Sequence, residues 1–129
     1  MKKQKGFSLI ELLIVVVIIG IIAAIAVPNL LASRRSANEG SAVAAMRTLH
    51  GAQMTYAASY GGGTYAGTLT DLGGAQLIDD VLGTGTKSGY TFVVTANAPS
   101  STAAATFSFS TVPTTTSGIT QTGSRNFCI

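Results

Sequence analysis

From Phe7 to Val27 the chain reads FSLIELLIVVVIIGIIAAIAV, 21 residues with one charge, Glu11, and one hydroxyl, Ser8. As a helix at ~1.5 Å per residue this run spans roughly 32 Å, against a bilayer core of about 30 Å. Its many Val and Ile residues are mediocre helix formers in water, but in lipid a spanning segment must satisfy its own backbone, and a helix does so. Lys2, Lys3 and Lys5 precede it. By the positive-inside rule the N-terminus stays cytoplasmic and everything after Pro28 lies on the other side.

Three readings compete for this run. It serves as an ordinary signal-anchor helix, or as a cleaved secretory signal with Leu12 to Ile22 as the apolar region and Ala24-Ile25-Ala26 as the small-residue cleavage site. Neither uses Glu11. A carboxylate well inside a membrane segment costs about 2.5–3.5 kcal/mol, and such groups are usually paired. The third reading uses every unusual residue: the basic leader, Gly6, Phe7, Glu11 and the uninterrupted apolar run. Lys2-Lys3-Gln4-Lys5-Gly6 followed by Phe7-Ser8-Leu9-Ile10-Glu11-Leu12 resembles the prepilin signature of type IV pilins and type II secretion pseudopilins.

That resemblance implies a set of roles. A membrane-embedded prepilin peptidase would cut between Gly6 and Phe7 and methylate the new N-terminal Phe7. Glu11 would fall at the family's fifth mature position, where it pairs with the terminal amine of a neighbouring subunit. Gly20 and Pro28 would bracket a stretch that melts locally when subunits pack into a filament. Glycine weakens a helix by about 1 kcal/mol and proline removes a hydrogen bond, so the residues alone equally allow a simple kink.

Composition narrows the function. Only 10% of the 129 residues are charged, His50 is the sole histidine and Cys128 the sole cysteine. That excludes a cysteine-based zinc site, an intrachain disulfide framework, a CxxC redox pair and a CxxCH haem site. Five acidic residues and one histidine leave few parts for a hydrolase. The net charge of +3 vanishes once the three leader lysines are set aside, which removes the case for nucleic-acid binding through a basic face. No enzyme, no cofactor and no metal are expected.

Beyond Pro28 the residues from Asn29 to Tyr60 form an alanine-rich amphipathic helix. Val43, Met46, Leu49, Gln53, Tyr56 and Tyr60 make a stripe at three- and four-residue steps. Arg34, Arg35, Glu39 and Arg47 read as solvated or inter-subunit residues. Gly61-Gly62-Gly63 ends the helix. Thr70-Asp71-Leu72 and Gln76 to Leu82 each suit a short helical turn. Strands are expected at Tyr90–Thr95, with Tyr90, Phe92 and Val94 on one face, and at Thr106–Ser110, with Phe107 and Phe109 facing in. Asn97 to Ser100 forms the turn between them, and Arg125–Ile129 closes the sheet.

The resulting organisation is α+β. A leader occupies 1–6, a transmembrane and assembly helix 7–28, an amphipathic half-helix 29–60, and a loop with a C-terminal sheet 61–129. A helix over about 7–60 with a small antiparallel sheet on its C-terminal half is the pilin fold. Met46-Arg47-Thr48-Leu49, Ser59-Tyr60-Gly61 and Lys87-Ser88-Gly89-Tyr90-Thr91-Phe92 extend the resemblance past the N-terminus. Two departures stand out: many pilins staple a C-terminal loop with a disulfide, for which Cys128 has no partner, and relatives often continue past the position of Ile129 with a further strand. His50 suits a surface or helix–sheet contact. Asp71, Asp79 and Asp80 lack the family's C-terminal calcium segment. The glycines at 61–63 and 83–89 have no Gly-Lys-Thr context for a phosphate loop. The Ser- and Thr-rich 100–124 region suits solvent faces better than glycan acceptors.

The resemblance thus implies a structural subunit that polymerises with itself into a helical filament. It would wait in the inner membrane with its C-terminal domain periplasmic, then be extracted by an assembly platform and its ATPase. The assembled form would be an extracellular filament or a periplasmic pseudopilus. The alternatives are a minor pilin or secretion pseudopilin with an initiation, tip-binding or secretion role, and a membrane-anchored periplasmic domain that never polymerises and keeps its leader.

Overall fold

A computed structural model describes residues 6–129, so the lysines of the leader lie outside the described residues. The chain divides into two compact units, one ending at Ser33 and the other spanning Arg34–Ile129.

Helix α1 runs over Leu9–Ser59. Its N-terminal part is long and apolar enough to cross a membrane, and that apolar window is unburied among the described residues. Ile14, Val17 and Ile18 are about half exposed, which is what a bare helix surface leaves accessible. The helix passes through Gly20 and Pro28 without interruption. That stretch is therefore helical in the lone subunit, whereas the melting that the resemblance implies belongs to the packed filament. A proline costs the helix one hydrogen bond and a local bend, and the turns on either side propagate regardless.

From Arg34 onward a helix face is buried. Ala42, Ala45, Met46, Leu49 and Ala52 pack against a four-stranded sheet and two short helices. The alanines let the sheet approach the helix closely, while Met46 and Leu49 fill the remaining space. Val43 is only half-buried, and Tyr60 is 62% exposed because the helix has already ended at Ser59. Gly62 and Gly63 adopt φ of 55° and 94°, and the Gly63 N–H donates to the Ala57 carbonyl, closing the helix end.

Helix α2, Leu69–Gly74, starts with a capping box. The Thr68 hydroxyl accepts from the Asp71 N–H, and the Asp71 carboxylate accepts from the Thr68 N–H. Helix α3 is Asp80–Gly83. Leu69, Leu72, Ile78 and Leu82 carry these turns into the core. Strands β1 (Thr86–Lys87), β2 (Tyr90–Asn97), β3 (Thr106–Pro113) and β4 (Phe127–Cys128) form an antiparallel meander in that order. The expected alternation holds: Tyr90, Phe92 and Phe109 are buried, and Val94 and Phe107 pack against them. Both long strands outrun their expected ends, and β1 is additional. Thr111 occupies an inner position and stays satisfied by donating its hydroxyl to the Thr91 carbonyl at 2.9 Å.

Gln53 sits on the apolar stripe but acts through its amide. Fully buried, it donates Nε2 to the Ala66 carbonyl at 2.9 Å and accepts the Ala66 N–H at 2.8 Å. One side chain thus satisfies both polar groups of a buried loop residue. Gln53→Leu keeps the volume and leaves both groups unpaired. It should destabilise the fold by about 2–3 kcal/mol, read as a lower urea midpoint for the full-length chain in mild detergent.

Candidate functional site

Three of the residues singled out from the sequence, Gly6, Phe7 and Glu11, meet at the start of α1, while Gly20 and Pro28 lie further along it. Gly6 and Phe7 precede the helix and are exposed, Phe7 to 89%. The peptide between them is non-helical, so a protease can bind it without first unwinding a turn. A methyl group added at Gly6 would meet nothing within 4 Å, and the same holds at Gly20. Neither glycine is required by packing inside the subunit.

Ser8 is the residue before the first helical position. Its N–H donates to the Glu11 Oε2 at 2.8 Å. Glu11 therefore reaches back one turn and satisfies a donor that helix geometry leaves free. This is the carboxylate half of a capping box, and the Ser-x-x-Glu spacing at 8–11 that announces it is present in the sequence. The cap also places the carboxylate next to the backbone nitrogen one residue beyond Phe7, so an amine created at Phe7 would appear beside a waiting counter-charge.

A second constellation lies wholly within the unit Arg34–Ile129. Glu39, expected to be a solvated or inter-subunit residue, is buried within the unit at 7% exposure. Its Oε1 accepts from the Ser124 N–H at 2.9 Å and the Ser124 hydroxyl at 2.8 Å. Its Oε2 accepts from Arg125 Nε at 2.8 Å and Nη2 at 2.7 Å. The Ser124 amide, the Arg125 guanidinium and the Ser124 hydroxyl, in that order, hold the carboxyl at about 2, below its usual 4.5, against the opposing effect of burial. Neighbouring α1 residues grip the same segment. Asn38 Nδ2 donates to the Thr122 carbonyl at 2.9 Å, and Arg35 Nη2 to the Gly118 carbonyl at 3.3 Å.

Opposite Glu39, Tyr90 donates its hydroxyl to the Arg125 carbonyl at 3.0 Å. Burial pushes that hydroxyl's pKa up from its usual value. Gly123 lies against the tyrosine ring, where any Cβ would collide with the hydroxyl end. Because Arg125 turns to the helix, the strand expected over Arg125–Ile129 shrinks to Phe127–Cys128. This clasp secures the C-terminal segment without a disulfide, and Cys128 is free and exposed.

The remaining candidates are spent locally. Asp71 caps α2, and Asp79 pairs with Lys87 at 3.0 Å across a solvent-facing surface. His50 is exposed with its ring 5.3 Å from that of Phe107, a helix–sheet contact.

Comparison with known proteins follows the same division. Residues 1–27 match the family model described as the prokaryotic N-terminal methylation motif. The span holds Gly6, Phe7, Glu11 and Gly20 together. In its N-terminal segment the chain is thus similar to type IV pilins and type II secretion pseudopilins. The type IV wide pilus major component PilA4 of Thermus thermophilus is 62% identical over 39 residues, covering 30% of each chain. The type II secretion system core protein G of Vibrio cholerae is 45% identical over 56 residues, 43% of this chain and 38% of that one. The type IV major pilin protein PilA of Myxococcus xanthus is 43% identical over 54 residues, 42% and 24% respectively. The chain thus spans well under half the length of the relatives it matches. No solved structure matches it. Its long apolar N-terminal helix and small antiparallel sheet are the α+β pilin architecture, and the motif and helix together fit a membrane-anchored precursor.

Proposed function

We propose that this pilin-family chain is the structural subunit of a type IV pilus or pilus-like filament, polymerising through α1 after processing. One observation carries the reading: a helix bare of internal contacts over its apolar half bears one carboxylate, capped onto its own first turn beside the Gly6–Phe7 bond. Such a surface needs either lipid or other copies of itself. The precursor would use lipid, as a single-pass inner-membrane protein with its sheet in the periplasm, and the filament would use neighbouring helices.

In this account prepilin peptidase cuts between Gly6 and Phe7 and methylates Phe7. The new ammonium pairs with Glu11, first within its own subunit and then with that of a neighbour, which sets the axial step. An inner-membrane platform and its ATPase supply the work of extraction. The stretch between Gly20 and Pro28 melts only when packed, since it is helical in the subunit. The resemblance to core protein G supports a second reading, a secretion pseudopilus confined to the periplasm.

Processing is directly testable. Because nothing inside the chain requires a glycine at position 6, Gly6→Val should fold normally and accumulate at the mass of the full precursor in the membrane fraction, since a branched side chain blocks close approach of the protease. Normal shortening of that variant on an immunoblot, or a mature chain beginning at Val27, would refute the cleavage assignment.

A further inference from the structure

From Ser88 to Ser124 the chain contains no Asp, Glu, Lys, Arg or His across 37 consecutive residues. Folded surfaces ordinarily carry about 25–35% charged residues. The gap covers β2, β3 and their connections, including the outward-facing Thr91, Val93 and Thr95.

Beside that face lies an unprotected sheet edge. Strand β1 pairs only with Tyr90 and Thr91 of β2, and one further bond runs from the Phe92 N–H to the Gly85 carbonyl at 2.7 Å. The Phe92 bond shows which way the ladder faces. In an antiparallel strand alternate residues direct their N–H and C=O to the same side, so Val94 and Ala96 direct theirs to the edge that β1 has already left. Among the described residues none supplies a backbone partner there. Natural edges are normally blunted by lysine, proline, a bulge or a covering loop. Residues 93–97, Val-Val-Thr-Ala-Asn, carry no charge and no proline, and they pair in unbroken register with β3 on their other side.

We infer that this edge of β2 pairs with the same edge of a second copy, antiparallel and centred on Thr95. The two-fold register places Val94 opposite Ala96 of the other copy, and each such pair exchanges two backbone hydrogen bonds. Thr95 then faces its own counterpart in a non-hydrogen-bonded pair, where Cβ atoms approach to about 4.5–5.5 Å. An isologous contact requires a surface that does not repel itself, and the absence of charge meets that condition. Four hydrogen bonds are too few to hold an isolated dimer. The inference therefore rests on the filament reading, in which each filament displays the edge at regular intervals and weak contacts between two filaments add up through multivalency. The edge is thus a lateral filament–filament contact.

Cysteine cross-linking tests it on the full chain. With Cys128→Ser as background, Thr95→Cys should give a reducible dimer band in sheared filaments under mild oxidation. Val81→Cys, at an exposed site on α3, should not. Thr95→Lys should leave filament yield unchanged and abolish side-by-side bundles in electron micrographs. Filaments that form but show no Thr95→Cys dimer, or that bundle normally with Thr95→Lys, overturn the inference. Failure of the filament reading is a different result, a wild type without filaments.

Discussion

Glu11→Leu should be cleaved and inserted normally yet lose at least about tenfold in surface filaments at equal expression, although it makes the helix more apolar. An ammonium at Phe7 carried into a helix bundle without a counter-charge costs several kcal/mol, and every 1.4 kcal/mol is tenfold in an equilibrium. The capping bond from Ser8 to Glu11 raises a rival explanation, since Leu also removes the cap, worth about 1 kcal/mol. Glu11→Gln separates the two. Its amide oxygen can still accept the Ser8 N–H, but it has no charge. If charge pairing drives assembly, Gln fails as Leu does. Near-normal filaments with Gln and few with Leu would reassign Glu11 to helix capping alone.

The second large effect belongs to Glu39. Glu39→Ala removes the acceptor for Ser124 and Arg125 together, and hydrogen bonds to a charged group contribute about 1.5–3 kcal/mol each. Arg125 is largely exposed and regains water when released, so the net loss should be nearer about 3 kcal/mol than the sum. Faster trypsin cleavage after Arg125 in the full-length chain should accompany the lower urea midpoint. The pH dependence has a definite sign. The folded carboxyl titrates at about 2 and the unfolded one at 4.5. The stabilisation is complete above pH 4.5 and shrinks as pH falls toward 2. Wild type and Glu39→Ala should therefore differ most at neutral pH and converge across that window. A difference independent of pH would assign the loss to packing rather than to the charged clasp.

What the sequence reveals of this molecule divides by the range of the interaction. The apolar run, the alternation of Tyr90, Phe92 and Val94 and the glycines after Ser59 are local patterns, and each is found where expected. Glu39 reads as solvated or inter-subunit only when its charge is weighed above its position. It lies three residues before Ala42 and seven before Met46, squarely on the buried face. Its partners are 85 and 86 residues away, a separation that no local pattern reports. The shortening of the last strand follows from the same contact. Gln53 shows the converse: its place on the stripe was legible, but its partner, the backbone of Ala66, was not. The Ser8–Glu11 cap is legible in full from the Ser-x-x-Glu spacing.

The account's central claim is that the apolar half of α1 exchanges lipid for other copies of itself after cleavage at Gly6. Mass spectrometry of the subunit in sheared, microscopically verified filaments tests it most directly. The predicted result is an N-terminal peptide beginning at Phe7 and carrying one methyl group. A subunit found only in membranes with residues 1–6 still attached would contradict it.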